Sequence, residues 1–174
     1  MPRIWHTAEQ TGSKTLVHSG WTEDYSENAK RRLASVVEVF DGYAELWQRE
    51  EVTGEPPASG VYAAASASID NDLFTFGGYD DIKWYNSLHK LKNGSQWIEL
   101  SHQNRRPESP MAKFDAGMIV QGDNLSVFGG YGIPHGPTQP GSSFIQHTRF
   151  TDGAGWTNEF HIYSLKDGIY TCTK

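Results

Sequence analysis

The stretch "NDLFTFGGYDD", residues 71–81, has a near copy in "DNLSVFGGYGI", residues 123–133. In each copy a short run of strand-forming residues leads into Gly-Gly and then Tyr. Such runs favour β-strands, and the glycine pair marks the place where each strand stops. The second glycines of the two pairs, Gly78 and Gly130, are 52 positions apart. A phrase that recurs at this distance predicts a chain built of structural repeats.

Further marks recur at nearly the same period. Trp47 and Trp97 are 50 positions apart. Asp41 and Asn93, each followed by Gly, are again 52 positions apart. A third Asp-Gly begins at Asp167 and is followed by Tyr170 in the place of Trp. These marks predict three repeats in register, which chance would rarely produce.

The third repeat is longer than the second. From Gly78 to Asn93 is 15 positions, whereas from Gly130 to Asp167 is 37. The surplus lies in a Gly/Pro-rich stretch, residues 132–156, which we interpret as a long loop. Because binding residues often lie on long loops above a rigid scaffold, this stretch is the strongest functional signal in the sequence.

Each mark has a mechanical explanation. Asp-Gly and Asn-Gly favour two-residue type I′ hairpin turns, because both central residues of such a turn have positive φ. We expect the glycine pairs to allow close approach of two backbones, and the aromatic residue of the next strand to fill the space beside them. The predicted structural repeat residues are Gly77, Gly78, Gly129, Gly130, Trp47 and Trp97.

The composition suits an all-β chain and argues against several function classes. The 174 residues suffice for one domain, and 15 basic against 21 acidic residues give a formal charge of −6. This balance speaks against nucleic acid or an anionic membrane as partner. The N-terminal residues lack a signal-peptide core and Cys172 is the only cysteine, so we expect a cytoplasmic or nuclear protein.

We found no signature of a metal, a cofactor or catalysis. His135, His147 and His161, with Asp152 nearby, lie in or beside the long stretch, but their spacing resembles no zinc signature. We interpret these histidines as solvent-exposed loop residues. Neither a G-x-S-x-G elbow nor a P-loop is present, and we do not expect an enzyme.

The repeated marks resemble the kelch repeat, which combines an apolar strand, Gly-Gly, and spaced Tyr and Trp. The resemblance implies that each repeat folds as a four-stranded blade of a β-propeller. It covers nearly the whole chain as a single repeat region, with repeats at approximately 1–53, 54–104 and 105–174. The first repeat departs from the pattern, since Ser19-Gly20 stands in place of Gly-Gly.

The third repeat also resembles the kelch-domain-containing substrate receptors of cullin–RING ubiquitin ligases. Those proteins carry Gly-Gly-Tyr-Gly, a long insertion and a Gly-Trp stretch in the matching repeat. The resemblance implies that Tyr131 and Trp156 line a pocket for a substrate peptide. The arginines that pair with the substrate carboxylate, and the segment that recruits the ligase, belong to parts of the family pattern that this sequence does not contain.

Three blades are too few for a closed propeller, which needs about four to eight. The array would leave two open lateral faces. We therefore expect either a piece of a longer array, which the abrupt starts and ends of the repeats favour, or a ring completed by two or more copies.

The function that we expect is protein or peptide binding, by substrate recognition for a cullin–RING ligase. Two alternatives remain open. One is a scaffold that binds actin filaments, as some kelch proteins do. The other is a fragment of a propeller enzyme, such as an oxidase.

Overall fold

The computed structural model describes residues 2–22, 26, 36–101, 109–133, 144–146 and 153–172. These residues form seventeen β-strands, and no helix occurs among them. The strands make four sheets: three of them are each built on four antiparallel strands, one of these with an added parallel strand, and the fourth consists of four strands of three residues each. The prediction of an all-β chain of four-stranded blades is therefore confirmed.

The strands follow one another in regular order. Blade 1 consists of β1 (Thr7–Thr11), β2 (Lys14–His18), β3 (Val36–Asp41) and β4 (Leu46–Glu51). The short β5 (Thr53–Gly54) then runs parallel to β9, the last strand of blade 2. Blade 2 consists of β6 (Ala65–Ile69), β7 (Asp72–Phe76), β8 (Leu88–Lys92) and β9 (Gln96–Ser101).

The third blade contains the long stretch. After β10 (Ala112–Phe114), blade 3 is formed by β11 (Gly117–Gln121), β12 (Asn124–Phe128), β16 (Phe160–Ser164) and β17 (Ile169–Cys172). Between β12 and β16 the chain adds β13 (Tyr131–Ile133), β14 (Phe144–Gln146) and β15 (Gly155–Thr157). The long stretch is thus not only loop: these three strands and β10 form the fourth sheet, in the order β10-β13-β15-β14.

The blades stack side by side around their innermost strands. β1 packs against β6, and β6 packs against β11. We call the side of a blade that faces its lower-numbered neighbour the leading side, and the opposite one the trailing side. Three blades form an incomplete propeller, since a ring needs about four to eight.

Two apolar cores lie between the blades. The core between blades 1 and 2 consists of Leu16, Val37, Val39, Leu73, Leu91 and Trp97. The core between blades 2 and 3 consists of Ala65, Ala67, Phe74, Phe76, Leu88, Met118, Leu125, Val127 and Tyr163. Each large side chain buried here contributes about 1.5–3 kcal/mol, so the stacking of blades is what stabilises the chain.

The glycine pair joins one blade to the next. The Gly78 N–H donates to the carbonyl of Lys113, 2.8 Å away, in the connector that leads into blade 3. A Cβ on Gly77 would collide with the same carbonyl, and a Cβ on Gly78 would collide with the Val61 side chain. Close approach of backbones is therefore confirmed as the role of the glycines. The expectation that a Trp or Tyr side chain fills the space beside them is wrong, because Lys113 of the next connector lies against Gly77 and Val61 of blade 2's own connector lies against Gly78.

The first repeat achieves the same junction with a different residue. Ser19, at the place of Gly77, adopts a φ of 65°, and its hydroxyl donates to the Val61 carbonyl. The Gly20 N–H donates to that carbonyl as well, at 3.4 Å. The departure Ser19-Gly20 thus keeps the interblade contact.

The predicted hairpin turns are only partly correct. Asn93 and Gly94 have φ of 49° and 72°, and the Ser95 N–H donates to the Lys92 carbonyl, as a type I′ turn requires. The loops at Asp41 and Asp167 each hold four residues between the strands instead of two. At Asp41 the carboxylate accepts hydrogen bonds from the N–H groups of residues 43 and 44, which stabilises the longer loop.

Within the described ranges, no helix has the length and apolar character needed to cross a membrane.

Candidate functional site

The described parts of the connectors between blades, and of those between the second and third strands of blades 2 and 3, lie at one end of the molecule. We call this the connector end. In blade 2, Tyr62 forms an isolated bridge with Tyr79, which in turn bridges Trp84. In blade 3 the corresponding segments are longer and become the fourth sheet. The connector end is therefore more elaborate at blade 3 than at blade 2.

Aromatic rings form a continuous row across the connector end. Each ring contacts the next at a centroid distance between 5.0 and 5.8 Å. In order, this aromatic row consists of Trp5, Tyr62, Tyr79, Phe114, Tyr131 and Trp156. Aromatic pairs at these distances stabilise by about 0.5–1.5 kcal/mol each beyond area burial, so the row is rigid.

The two ends of the row are exposed, the rings next to them are buried, and the two central rings are partly buried. Trp5 is 53% and Trp156 49% exposed, whereas Tyr62 is 8% and Tyr131 7% exposed. The hydroxyl of Tyr62 donates to the Asp81 carboxylate at 2.7 Å, which fixes that ring from the outside. The row thus presents two rigid tryptophan surfaces to solvent.

The structure brings together the two residues that the sequence predicted as peptide-binding. Tyr131 on β13 pairs in register with Trp156 on β15, and their rings meet edge to face at 5.0 Å. Trp156 lies outermost, and Tyr131 lies beneath it. Trp156 has a structural counterpart in the second repeat, because Trp84 bridges Tyr79 as Trp156 pairs with Tyr131. The long insertion hides this equivalence in the sequence.

A buried charge cluster lies behind the fourth sheet. The Lys113 side chain is fully buried, and its Nζ lies 3.6 Å from the Glu159 carboxylate, too far for a hydrogen bond. The carboxylate also lies 3.4 Å from Nε2 of His161. Gly130 and Gly132 give the lysine its space, since Cβ atoms there would lie 3.0 Å from Cδ and 2.8 Å from Cβ of Lys113.

Burial and charge act in opposite directions on this cluster. Burial lowers the pKa of Lys113 to about 8, although the Glu159 carboxylate opposes the shift. Burial by itself would raise the pKa of Glu159, but the His161 hydrogen bond and the Lys113 ammonium lower it overall. The Glu159 carboxylate therefore stays charged and compensates the charge of the buried Lys113 ammonium.

The three repeats differ at the position of this lysine. In blade 1 the corresponding residue is Arg3, whose guanidinium lies 2.6 Å from the Glu38 carboxylate. In blade 2 the corresponding residue is Val61, an apolar side chain that forms no ion pair. The strand residue of blade 2 that corresponds to His161 is His89. Blades 1 and 3 therefore bury a cation at this position together with a carboxylate. Blade 2 has no such carboxylate and carries an apolar side chain at the same position.

Two buried histidines flank the tryptophan between blades 1 and 2. His18 and His89 contact the Trp97 ring at centroid distances of 4.7 and 6.4 Å. Burial lowers the pKa of each imidazole to about 4, so both are neutral at neutral pH. They contribute to packing, not to an exposed site.

The histidines considered for a metal site do not come together in the described part of the chain. His135, His147 and Asp152 lie outside the described residues. His161 is 1% exposed, so its interpretation as a solvent-exposed loop residue is wrong. No group of three or more potential metal ligands occurs among the residues that the structure describes.

Comparisons with known proteins agree with the fold. No protein-family model matches the chain. The chain is 28% identical over 173 residues to Kelch domain-containing protein 1 of Homo sapiens. This alignment covers 94% of the chain and 41% of that protein. It is 24% identical over 183 residues to Kelch domain-containing protein 2 of Bos taurus, covering 97% of this chain and 43% of the relative.

A third relative carries the same repeats. The Rab9 effector protein with kelch motifs of Rattus norvegicus is 29% identical over 120 residues, which are 65% of this chain and 30% of that protein. The chain thus spans less than half the length of these curated relatives. Its recurring glycine pairs, its four-stranded blades and its relatives agree, and the chain is therefore built of kelch repeats.

Proposed function

We propose that the connector end is a surface that binds a protein or peptide, with Trp156 as its principal contact residue. The observation that carries the proposal is the half-exposed Trp156 ring, held edge to face against the buried Tyr131 at 5.0 Å. Rigid aromatic side chains provide contact area at a low cost in conformational entropy. An exposed tryptophan fixed in this way is suited to anchor a partner.

The aromatic row extends this surface across the three blades. Because Trp5 at the other end of the row is also half-exposed, an extended peptide could contact both tryptophans. Tyr131 is too deeply buried to offer much of its ring, so we assign it the part of positioning Trp156. Charge neutralisation does not drive this recognition, since the contact residues are aromatic.

More specifically, we propose that the surface recognises substrates for a cullin–RING ubiquitin ligase. The resemblance of the third repeat to that class of receptors supports this proposal, as does the elaboration of the connector end at blade 3. The proposal involves binding only and assigns no bond-making or bond-breaking step to this chain. No feature of the connector end specifically favours actin binding or an oxidase site.

A peptide-display selection tests the binding surface. A library that presents both internal and C-terminal protein segments should yield ligands for the chain, and Trp156→Ala should weaken their binding by about 30-fold. Tyr43→Ala is the matched control, because Tyr43 is 89% exposed in the turn after β3, at the opposite end of the blade. Ligands that bind Trp156→Ala as tightly as the unmodified chain would refute the site.

A separate experiment addresses the ligase. Proteins that the chain captures from cells through Trp156 should be substrates of a cullin–RING ligase, so their abundance should rise when these ligases are inhibited. Partners that depend on Trp156, but whose abundance does not change on inhibition, would refute the ligase assignment and leave the binding surface intact.

A further inference from the structure

The connection between the second and third strands of a blade differs in length among the three blades. It has 11 residues (77–87) in blade 2, 17 residues (19–35) in blade 1 and 31 residues (129–159) in blade 3. Because fixing the end of a longer connection costs more conformational entropy, the place where the blade 3 connection returns to the sheet needs additional stabilisation. Trp156 lies close to that place, three positions before Glu159.

A cation–carboxylate pair occurs in the two blades that have the longer connections. In blade 3, Nζ of Lys113 lies 3.6 Å from the Glu159 carboxylate. In blade 1, the Arg3 guanidinium lies 2.6 Å from the Glu38 carboxylate. Blade 2, whose connection is the shortest, carries the apolar Val61 in the place of the cation. The pair thus accompanies a long connection and is not common to all blades.

We propose that Lys113 and Glu159 are positioning residues for the binding surface. Their pair fixes the end of the blade 3 connection, and with it the orientation in which the Trp156 ring meets a partner. This role rests on the proposed binding of a partner by Trp156. Neither residue contacts the partner itself, since the side chain of Lys113 is 0% exposed and that of Glu159 is 7% exposed.

Lys113 is the fixed point of the pair. Its N–H donates to the Tyr85 carbonyl at 3.0 Å, and its carbonyl accepts from the Gly78 N–H at 2.8 Å. Both of these partners belong to the short connection of blade 2. On β10, Lys113 also pairs in register with Gly132 of β13. The lysine is therefore held by backbone contacts to blade 2 and to the fourth sheet.

Glu159 ties the end of the long connection to this point. Its carbonyl accepts from the Gly129 N–H at 3.0 Å, and its N–H donates to Oγ1 of Thr157 at 3.1 Å. Its buried carboxylate lies 3.4 Å from Nε2 of His161 on β16, in addition to its contact with Lys113. Glu159 therefore connects β15, which carries Trp156, with the sheet of blade 3 and with β10.

The strand that carries Trp156 is short. β15 has three residues and pairs with β13 at two positions, one of which joins Trp156 to Tyr131. A ladder of two residue pairs is marginally stable by itself. In blade 2, by contrast, Trp84 is only five positions from Tyr79, so the short backbone connection places that tryptophan without an ion pair.

The attraction between Lys113 and Glu159 is one of charge. Their separation of 3.6 Å is too long for a hydrogen bond, but opposite charges attract at this distance, and more strongly in a buried site than in water. The contact with His161 keeps the carboxylate in its orientation. An uncharged pair of the same size would fill the same space without that attraction, which separates positioning by charge from packing.

The double variant Lys113→Met with Glu159→Gln makes this separation, because it removes both charges at nearly constant volume. Fluorine NMR of the chain labelled with fluorotryptophan reports the surroundings of each indole ring, and the signals are assigned by their loss in Trp156→Phe and Trp97→Phe. We expect the Trp156 signal to shift or broaden in the double variant, and the signal of Trp97, in the core between blades 1 and 2, to stay unchanged. An unchanged Trp156 signal, or equal changes in both signals, would overturn the proposal.

Affinity for a peptide from the display selection gives the functional readout. The double variant should raise the dissociation constant by about 10-fold. Lys90→Met is the matched control, because it removes an ammonium from an ion pair with Asp72 in blade 2, and it should change neither the affinity nor the Trp156 signal. An unchanged affinity in the double variant, where Trp156→Ala weakens binding, would overturn the positioning role alone. Ligands insensitive to Trp156→Ala would instead refute the binding surface, and the NMR signals would still decide whether the pair fixes the ring.

Discussion

Trp47 and Trp97 occupy the same position in consecutive repeats, yet Trp47 is 63% exposed and Trp97 is 1% exposed. Trp47 pairs across the strands with Phe40, and Trp97 pairs with Leu91. The difference lies in their neighbours, because blade 1 covers Trp97 and no blade of this chain covers Trp47. In a repeat architecture, the contribution of a consensus residue to stability thus depends on whether the adjacent repeat covers it.

Trp97→Ala should destabilise the chain by about 3–5 kcal/mol, because it leaves a cavity in the core between blades 1 and 2. Urea denaturation followed by far-UV circular dichroism measures this loss. The matched variant is Trp47→Ala, whose cost should be less than about 1 kcal/mol, because Trp47 is 63% exposed. Equal costs for both variants would contradict the interblade explanation.

Gly78→Ala should destabilise the chain by about 2–4 kcal/mol. The φ of Gly78 is 101°, and an added Cβ would meet the Val61 side chain and lie 3.0 Å from the Tyr62 carbonyl oxygen. Gly122→Ala is the control for backbone strain alone, because Gly122 has a φ of 57° and no atom within 4 Å of an added Cβ. Its cost should be about 1 kcal/mol. If the two substitutions cost the same, close packing against Val61 and Tyr62 is not what requires Gly78.

Stability should fall as the pH decreases from about 6.5 to about 4. Burial lowers the pKa of His18 and His89 to about 4, so the unfolded chain binds protons in this window that the folded chain cannot bind. Their stabilising contribution is fully present above pH 6.5. Each histidine could account for about 3 kcal/mol of the loss at the acid end.

The variant His89→Gln checks the source of this pH dependence. It should reduce the decrease in unfolding free energy between pH 6.5 and pH 4 by up to half, as measured by urea denaturation at several pH values. A profile that matches the unmodified chain would show that His89 is not buried as a neutral imidazole.

Glu159→Ser should destabilise the chain by about 3–5 kcal/mol, because it leaves the Lys113 ammonium buried without its carboxylate. Blade 2 carries Val61 and Ser87 at the two corresponding positions, and it buries no charge there. The double variant Lys113→Val with Glu159→Ser copies that arrangement and should be more stable than Glu159→Ser alone. A double variant that is less stable than the single one would mean that Lys113 has another partner.

The sequence predicts the blades well because their signals are local. Strand-forming runs, turn residues and glycine pairs each lie within a few positions of one another, and a similar period carries them along the chain. The pairing of blade 3 survives an insertion of more than twenty residues because β16 still meets β12 in register.

The fourth sheet could not be predicted from the same signals. β10, β13, β14 and β15 have three residues each, too few to show alternation of apolar and polar residues. The partners are also distant, since β10 pairs with β13 across the whole β11–β12 hairpin. The one available signal was the likeness between the pairs Tyr79–Trp84 and Tyr131–Trp156. The residues of the first pair are five positions apart and those of the second are twenty-five apart, so the sequence alone does not reveal that the two connections are equivalent.

The buried charge cluster was equally hidden. Lys113 and Glu159 are far apart in the sequence, and neither belongs to a repeated mark. A lysine ordinarily predicts a solvated surface. Only the space left by Gly130 and Gly132 shows why this lysine can be fully buried.

The central claim is that the connector end binds a protein partner through Trp156. Isothermal titration of a selected peptide ligand against the unmodified chain, Trp156→Ala and Tyr43→Ala tests it most directly. We predict that Trp156→Ala raises the dissociation constant by about 30-fold, that Tyr43→Ala leaves it unchanged, and that both variants unfold at the same urea concentration as the unmodified chain. Equal affinities for all three chains would contradict the claim.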